Sequence, residues 1–211
     1  MKKTLVGLFN AASNLSDVKQ VVESLDLKPG TKVGVEYSFH DFYGLSDHVE
    51  DIFWRKVINY LQKEKKCKIV FLDSEQLRTE SSSRRRKEGK LTLRTAKLMY
   101  DKREKVFLKG IPECEVSFLG AEHAIRLQKK TKARVVLDSV SFAMDKFNLL
   151  ALTPQQQIKG LKLRKRREKF FRELKEHGSL HNLMVAKGLI KPKKMSAKKK
   201  PPKKPARNRR V

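Results

Sequence analysis

Thr4-Leu5-Val6-Gly7-Leu8-Phe9 is an unbroken apolar run close to the start of the chain. A strand wet on one face alternates apolar with polar residues, so an uninterrupted run belongs to a strand covered on both faces. Short stretches of the same kind recur at Val33 to Glu36, Lys68 to Leu72, Val116 to Leu119 and Arg134 to Leu137. Helical spacing separates them. Val18, Val21, Val22 and Leu25 fall at i, i+3, i+4 and i+7, with Ser16 as the expected N-cap. Val49, Ile52, Phe53, Val57 and Leu61 stripe a second helix, which Asp47 and Glu50 open. Five strands alternating with helices require crossover connections. The expected fold is therefore α/β: a mainly parallel sheet of about five strands with flanking helices, followed by a basic helical segment and a disordered tail.

The regular alternation is interrupted once. Ser81 to Gly89 contains Arg84, Arg85, Arg86 and Lys87 but no apolar anchor, which predicts a mobile basic loop near residues 78–90. Helical spacing resumes from Leu91 to Phe107 and stops at Pro112. A short helix follows strand four, and Phe142 to Leu152 reads as helical.

The charge is unevenly placed. The chain has 211 residues and a net charge of +27. Residues 151–211 hold 21 Lys and Arg against three acidic residues, a net of +18. On this basis residues 1–152 form the core, 153–190 a basic helical segment and 191–211 a disordered Lys/Pro/Arg tail. The segment from Lys159 to Lys175 interleaves Lys162, Arg164, Lys165, Arg166 and Arg167 with Leu161, Leu163, Phe170, Phe171 and Leu174. The spacing of Phe170, Phe171 and Leu174 favours docking onto the core, which would leave a basic face outward. Base stacking by the two phenylalanines is the alternative. Lys198, Lys199, Lys200, Lys203, Lys204, Arg207, Arg209 and Arg210 are suited to phosphate backbone and carry no sequence readout.

So concentrated a positive charge repels itself unless a polyanion is near. Nucleic acid is the first candidate, RNA or a ribosome before DNA, because counterion release drives Lys and Arg onto phosphates. An anionic membrane surface and a merely solubilising tail are the alternatives. Cys67 and Cys114 stand 47 positions apart with no metal-ligand spacing, and read as reduced, buried thiols of a cytoplasmic protein. No apolar stretch approaches the ~20 residues that cross a bilayer, and no signal peptide is visible.

Ligands of open parallel sheets bind beyond the carboxyl ends of the strands. The polar residues expected there are Asn10, Glu36, Asp73, His123 and Asp138, with His40 nearby. They read first as the turns and helix caps that any such fold needs, with a divalent metal site as the alternative. Serine-hydrolase elbows, Walker loops and glycine-rich dinucleotide turns are absent from the sequence.

Gly7-Leu8-Phe9-Asn10, Val33-Gly34-Val35-Glu36 and Phe118-Leu119-Gly120-Ala121-Glu122-His123 together resemble the TraB/PrgY family and the related Tiki-type proteases, across roughly residues 1–137. That group carries a Gly-x-x-His motif after its first strand, a Glu ending the next, and a second Gly-x-x-His late in the domain. The resemblance implies that His123 is a metal ligand and Glu36 a ligand or general base. Asn10 departs from the pattern, standing where a histidine is expected, and an amide is a poor zinc ligand beside imidazole. The combined expectation is a non-enzymatic, nucleic-acid-associated protein on this scaffold. The alternative is a metal-dependent hydrolase using Glu36, His123 and Asn10.

Overall fold

The structure, a computed structural model, describes residues 3–9, 13–38, 49–89 and 92–191. Its five strands are β1 (Thr4–Leu8), β2 (Lys32–Val35), β3 (Lys68–Phe71), β4 (Val116–Gly120) and β5 (Arg134–Leu137). All pair in parallel, in the order β3-β2-β4-β1-β5. Successive strand residues face opposite sides of a sheet. Val6, Leu8, Val33, Val35 and Phe118 accordingly pack on one face, against helix α1 (Leu15–Leu25) and helix α2 (Val49–Asn59). Leu5, Leu119, Val70 and Leu72 pack on the other, against helix α5 (Arg103–Gly110) and helix α6 (Ala121–Thr131). Burial on both faces is the reason the strands read as unbroken apolar runs.

The connections part company at the centre of the sheet. From β2 the chain crosses by α2 on the first face to the outer strand β3. From β4 it crosses by α6 on the opposite face, over β1, to β5. Strands β2 and β4 are neighbours, so a crevice opens between their carboxyl ends. This is the switch point where folds of this type build ligand sites.

Several expectations are corrected. The stretch expected as a loop near 78–90 is largely helix α3 (Glu75–Glu88). It has no apolar face, so hydrophobic spacing cannot reveal it. Straight-chain Arg, Lys, Gln and Glu residues favour it, and Arg84 Nη2 bonds Glu80 Oε1 one turn away at 2.7 Å. Gly89, with φ of 64°, closes it. The helix expected from Leu91 to Phe107 runs unbroken from Leu93 but changes its winding: α4 (Leu93–Lys97) passes through a π-helical turn (Leu98–Lys102) into α5. Asn14 rather than Ser16 caps α1, accepting from the amides of Ser16 and Asp17 while Asp17 returns a bond to the Asn14 amide. Helix α7 (Ser139–Lys146) stops short of Leu152, as Asn148 takes the left-handed conformation with φ of 52°.

The chain after Leu152 folds back on the core. Helix α8 (Pro154–Ile158), helix α9 (Gly160–Glu176) and helix α10 (Leu180–Ala186) follow in sequence. Phe170, Leu183 and Met184 are buried with Ala143, Met144, Leu149 and Leu150, against Phe9 and Leu137 of the sheet end and Ile125 of α6. Among the described residues no helix is long and apolar enough to cross a membrane. Both cysteines are free and buried, and burial pushes both thiols up.

Candidate functional site

Glu36 follows directly on β2, Asp73 lies two residues beyond β3, and His123 stands in the first turn of α6 after β4. The switch point brings these three together. Glu36 is 7% exposed and both its carboxylate oxygens are engaged. The Gly120 amide donates to Oε2 at 2.6 Å, and Arg103 Nη2 donates to Oε1 at 3.0 Å. Arg103 also forks onto Asp73, with Nε to Oδ1 at 3.2 Å and Nη2 to Oδ2 at 2.5 Å. A single guanidinium thus balances two carboxylates that would otherwise repel across a poorly hydrated rim.

His123 lies between two carboxylates. Its Nε2 is 3.6 Å from Glu36 Oε1, and its Nδ1 is 3.4 Å from Glu104 Oε1. The ring is held between Tyr100 and Phe107, with centroids at 5.5 Å and 5.3 Å. Glu104 is fully buried and also accepts from Arg126 Nε at 2.6 Å and Lys130 Nζ at 2.8 Å. Burial alone would raise its carboxyl; hydrogen bonds from His123, Arg126 and Lys130 overcome that and bring it down to about 2. A carboxylate on Nδ1 orients the imidazole and directs Nε2 at Glu36, an arrangement that suits both ligation and base chemistry.

A second layer ties the rim to the C-terminal helices. Glu122 Oε1 accepts from the Ala151 amide at 2.7 Å and from Arg167 Nη2 at 2.9 Å. The Tyr100 hydroxyl bonds the Ala151 carbonyl, and burial with the neighbouring Glu122 carboxylate pushes the phenol well up. Arg167 also donates to the Leu149 carbonyl at 2.9 Å and lies over the Phe9 ring.

The remaining rim residues fall elsewhere. Asp138 serves as the N-cap of α7, accepting from the Ser141 amide at 2.7 Å. Burial pushes its carboxyl up, against hydrogen bonds from Ser13 and Ser141. Asn10 and His40 lie outside the described residues, as do Lys198, Lys199, Lys200, Lys203, Lys204, Arg207, Arg209 and Arg210. Sequence reasoning missed Arg103 and Glu104. Their one signal is a place inside the charged run Asp101-Lys102-Arg103-Glu104-Lys105 ahead of the apolar Val106-Phe107, in a segment whose helical phase the π turn shifts.

The basic segment presents a second surface. Phe170 is buried, Phe171, Leu163 and Leu174 pack around it, and Phe147 meets it edge-on at 5.0 Å. That seam leaves Lys162, Arg164, Lys165, Arg166, Lys169, Arg172 and Lys175 exposed on α9. Arg164 pairs with Glu168 at 3.0 Å, and Arg166 donates to the Phe147 carbonyl at 3.1 Å. Lys162, Lys165, Arg172 and Lys175 form no ion pair with any described residue. Of the α3 cations, Arg84 is tied to Glu80, Arg86 is exposed, and Arg85 shares their helix. Comparisons with protein-family models, with curated proteins and with solved structures find no match to this chain.

Proposed function

We propose that this is a nucleic-acid-associated protein, acting on RNA or a ribonucleoprotein, that binds through the outer face of α9 and the Lys/Arg-rich residues after it. The observation that carries this reading is a helix anchored by its apolar side, with seven cations turned to solvent and only three acidic residues in its length. Held on a docked helix, these side chains meet a phosphate backbone without first having to fold. Removing Lys162, Lys165, Arg172 and Lys175 together as glutamines should weaken single-stranded RNA binding at least tenfold. The slope of log K against log salt should fall by about 3, since each lost phosphate contact removes ~0.7. Filter binding of the full chain across a salt series measures both, and a parallel truncation after Lys191 separates the tail from the helix. An unchanged slope in the quadruple variant would remove α9 from the footprint.

A second reading is favoured by the 3.6 Å approach of His123 Nε2 to Glu36 Oε1 at the switch point. It is the metal-dependent hydrolase implied by the TraB/Tiki resemblance, with Glu36, His123 and Asn10 as the donor set. The carboxylate and imidazole are suitable donors, but Gly120 and Arg103 already take both oxygens of Glu36. A divalent cation would compete with Arg103 for Oε1. Elemental analysis of the dialysed full chain, beside His123→Ala, decides the matter. Near-stoichiometric metal in the wild type alone supports this reading, and none in either protein ends it.

A further inference from the structure

Beside the π turn the molecule has a cleft of about 350 Å³. Arg84 of α3, Arg94 and Lys97 of α4, and Leu98, Asp101 and Lys102 of the π turn line it. Four cations thus face one carboxylate. Asp101 is already drawn to Arg126 from behind, at 3.7 Å. Glu80 holds Arg84 through two bonds at 3.2 Å and 2.7 Å and reaches Lys102 at 3.5 Å, so its charge is shared. The nearby Glu88 has one oxygen, Oε2, occupied by the hydroxyls of Thr92 and Thr95 at 2.7 Å each. Arg94 and Lys97 are exposed and form no ion pair with any described residue.

We propose that this cleft binds a compact oligophosphate group, the di- or triphosphate of a small molecule. Several cations from three consecutive elements converge on one small concave volume, in the size range of ligand pockets. A phosphodiester backbone carries a single charge per phosphate and spreads its charge along a strand. An oligophosphate concentrates several charges in one place and matches this density. Arginine forks suit its oxygens bidentately, and lysines add point charges. Glu80, by taking Nε and Nη2 of Arg84, holds that guanidinium in position in advance, which lowers the ordering cost of binding. The cleft requires neither of the functional readings above.

The test titrates inorganic tripolyphosphate into the full chain at moderate salt by calorimetry. Arg94→Gln with Lys97→Gln is compared with a control that removes equal charge from α9, Lys165→Gln with Lys175→Gln. All four side chains are exposed, so both doubles should melt with the wild type. One saturable site is expected, weakened at least tenfold by the cleft double and less than twofold by the control. Equal weakening by both, or no saturable site, overturns the proposal. So does a cleft double that weakens a 5′-hydroxyl single-stranded oligonucleotide more than it weakens tripolyphosphate, because the cleft would then be a phosphodiester contact.

Discussion

Glu104→Gln should cost about 3 kcal/mol of folding stability at neutral pH, and the cost should shrink in acid. The carboxyl sits at about 2 in the folded chain against an ordinary 4.5. Because the folded value is the lower one, its stabilisation is complete above about pH 4.5 and fades as pH falls toward 2. At ~1.36 kcal/mol per unit, that displacement corresponds to about 3 kcal/mol. Breaking a buried pair from one side costs a similar ~3–5 kcal/mol, because the partners keep their charge. Here the abandoned partners are Arg126, whose side chain is 17% exposed, and Lys130, which is 48% exposed and can turn to water. Urea unfolding of both proteins from pH 7 to pH 3 measures the difference directly, and other carboxylates cancel. By pH 3 the gap should have narrowed to about half. A gap that stays constant with pH would mean that Glu104 fills space and its charge contributes nothing.

Phe170→Ala should loosen the C-terminal helices while leaving the sheet intact. Phe170 is 3% exposed and meets Phe147 and Phe171 edge-on, at 5.0 Å and 5.2 Å. Truncating a buried phenylalanine to alanine costs about 3–5 kcal/mol. The residues it would uncover, Leu183, Met184, Leu149 and Leu150, belong to a cluster distinct from the two that sandwich the sheet. Amide exchange in α9 and α10 should therefore quicken at least a hundredfold, with β1 and β4 amides little changed. Uniform loss everywhere would show one cooperative unit. No loss would show that Phe170 does not anchor α9. In the first outcome the RNA-facing cations would also lose their platform, so the variant connects packing to the proposed function.

The strands were legible because burial on both faces leaves a signature that few other structures share. Val6 and Leu8 on one side, with Leu5 on the other, are what an apolar run without alternation implies. Helix α3 was illegible for the opposite reason: it is held by propensity and Arg84–Glu80, and apolar spacing is silent about polar helices. The rim was half legible. Glu36, Asp73 and His123 follow from the rule that strand ends carry chemistry. Arg103, which joins two of them, lies 30 and 67 residues away in sequence. Nothing local to it announces either partner. The same holds for Glu104, whose burial depends on α6 packing above it. In α9, the spacing of Phe170, Phe171 and Leu174 pointed to docking, and the fold shows them packed against the core.

The π turn at Leu98–Lys102 makes this region a ruler. It accommodates an additional residue within a helical path, so that Lys97 and Lys102 open onto the cleft while Arg103 and Glu104, immediately after, reach the rim. Winding the same residues as ordinary α-helix would no longer absorb that residue and would rotate everything downstream by about 100°. Arg103 and Glu104 would swing off their partners although neither had been changed. Descendants of this chain can thus lose a codon between residues 98 and 102, trading the wide turn for ordinary winding at nearly the same phase, more readily than they can gain one, which would act on both surfaces at once.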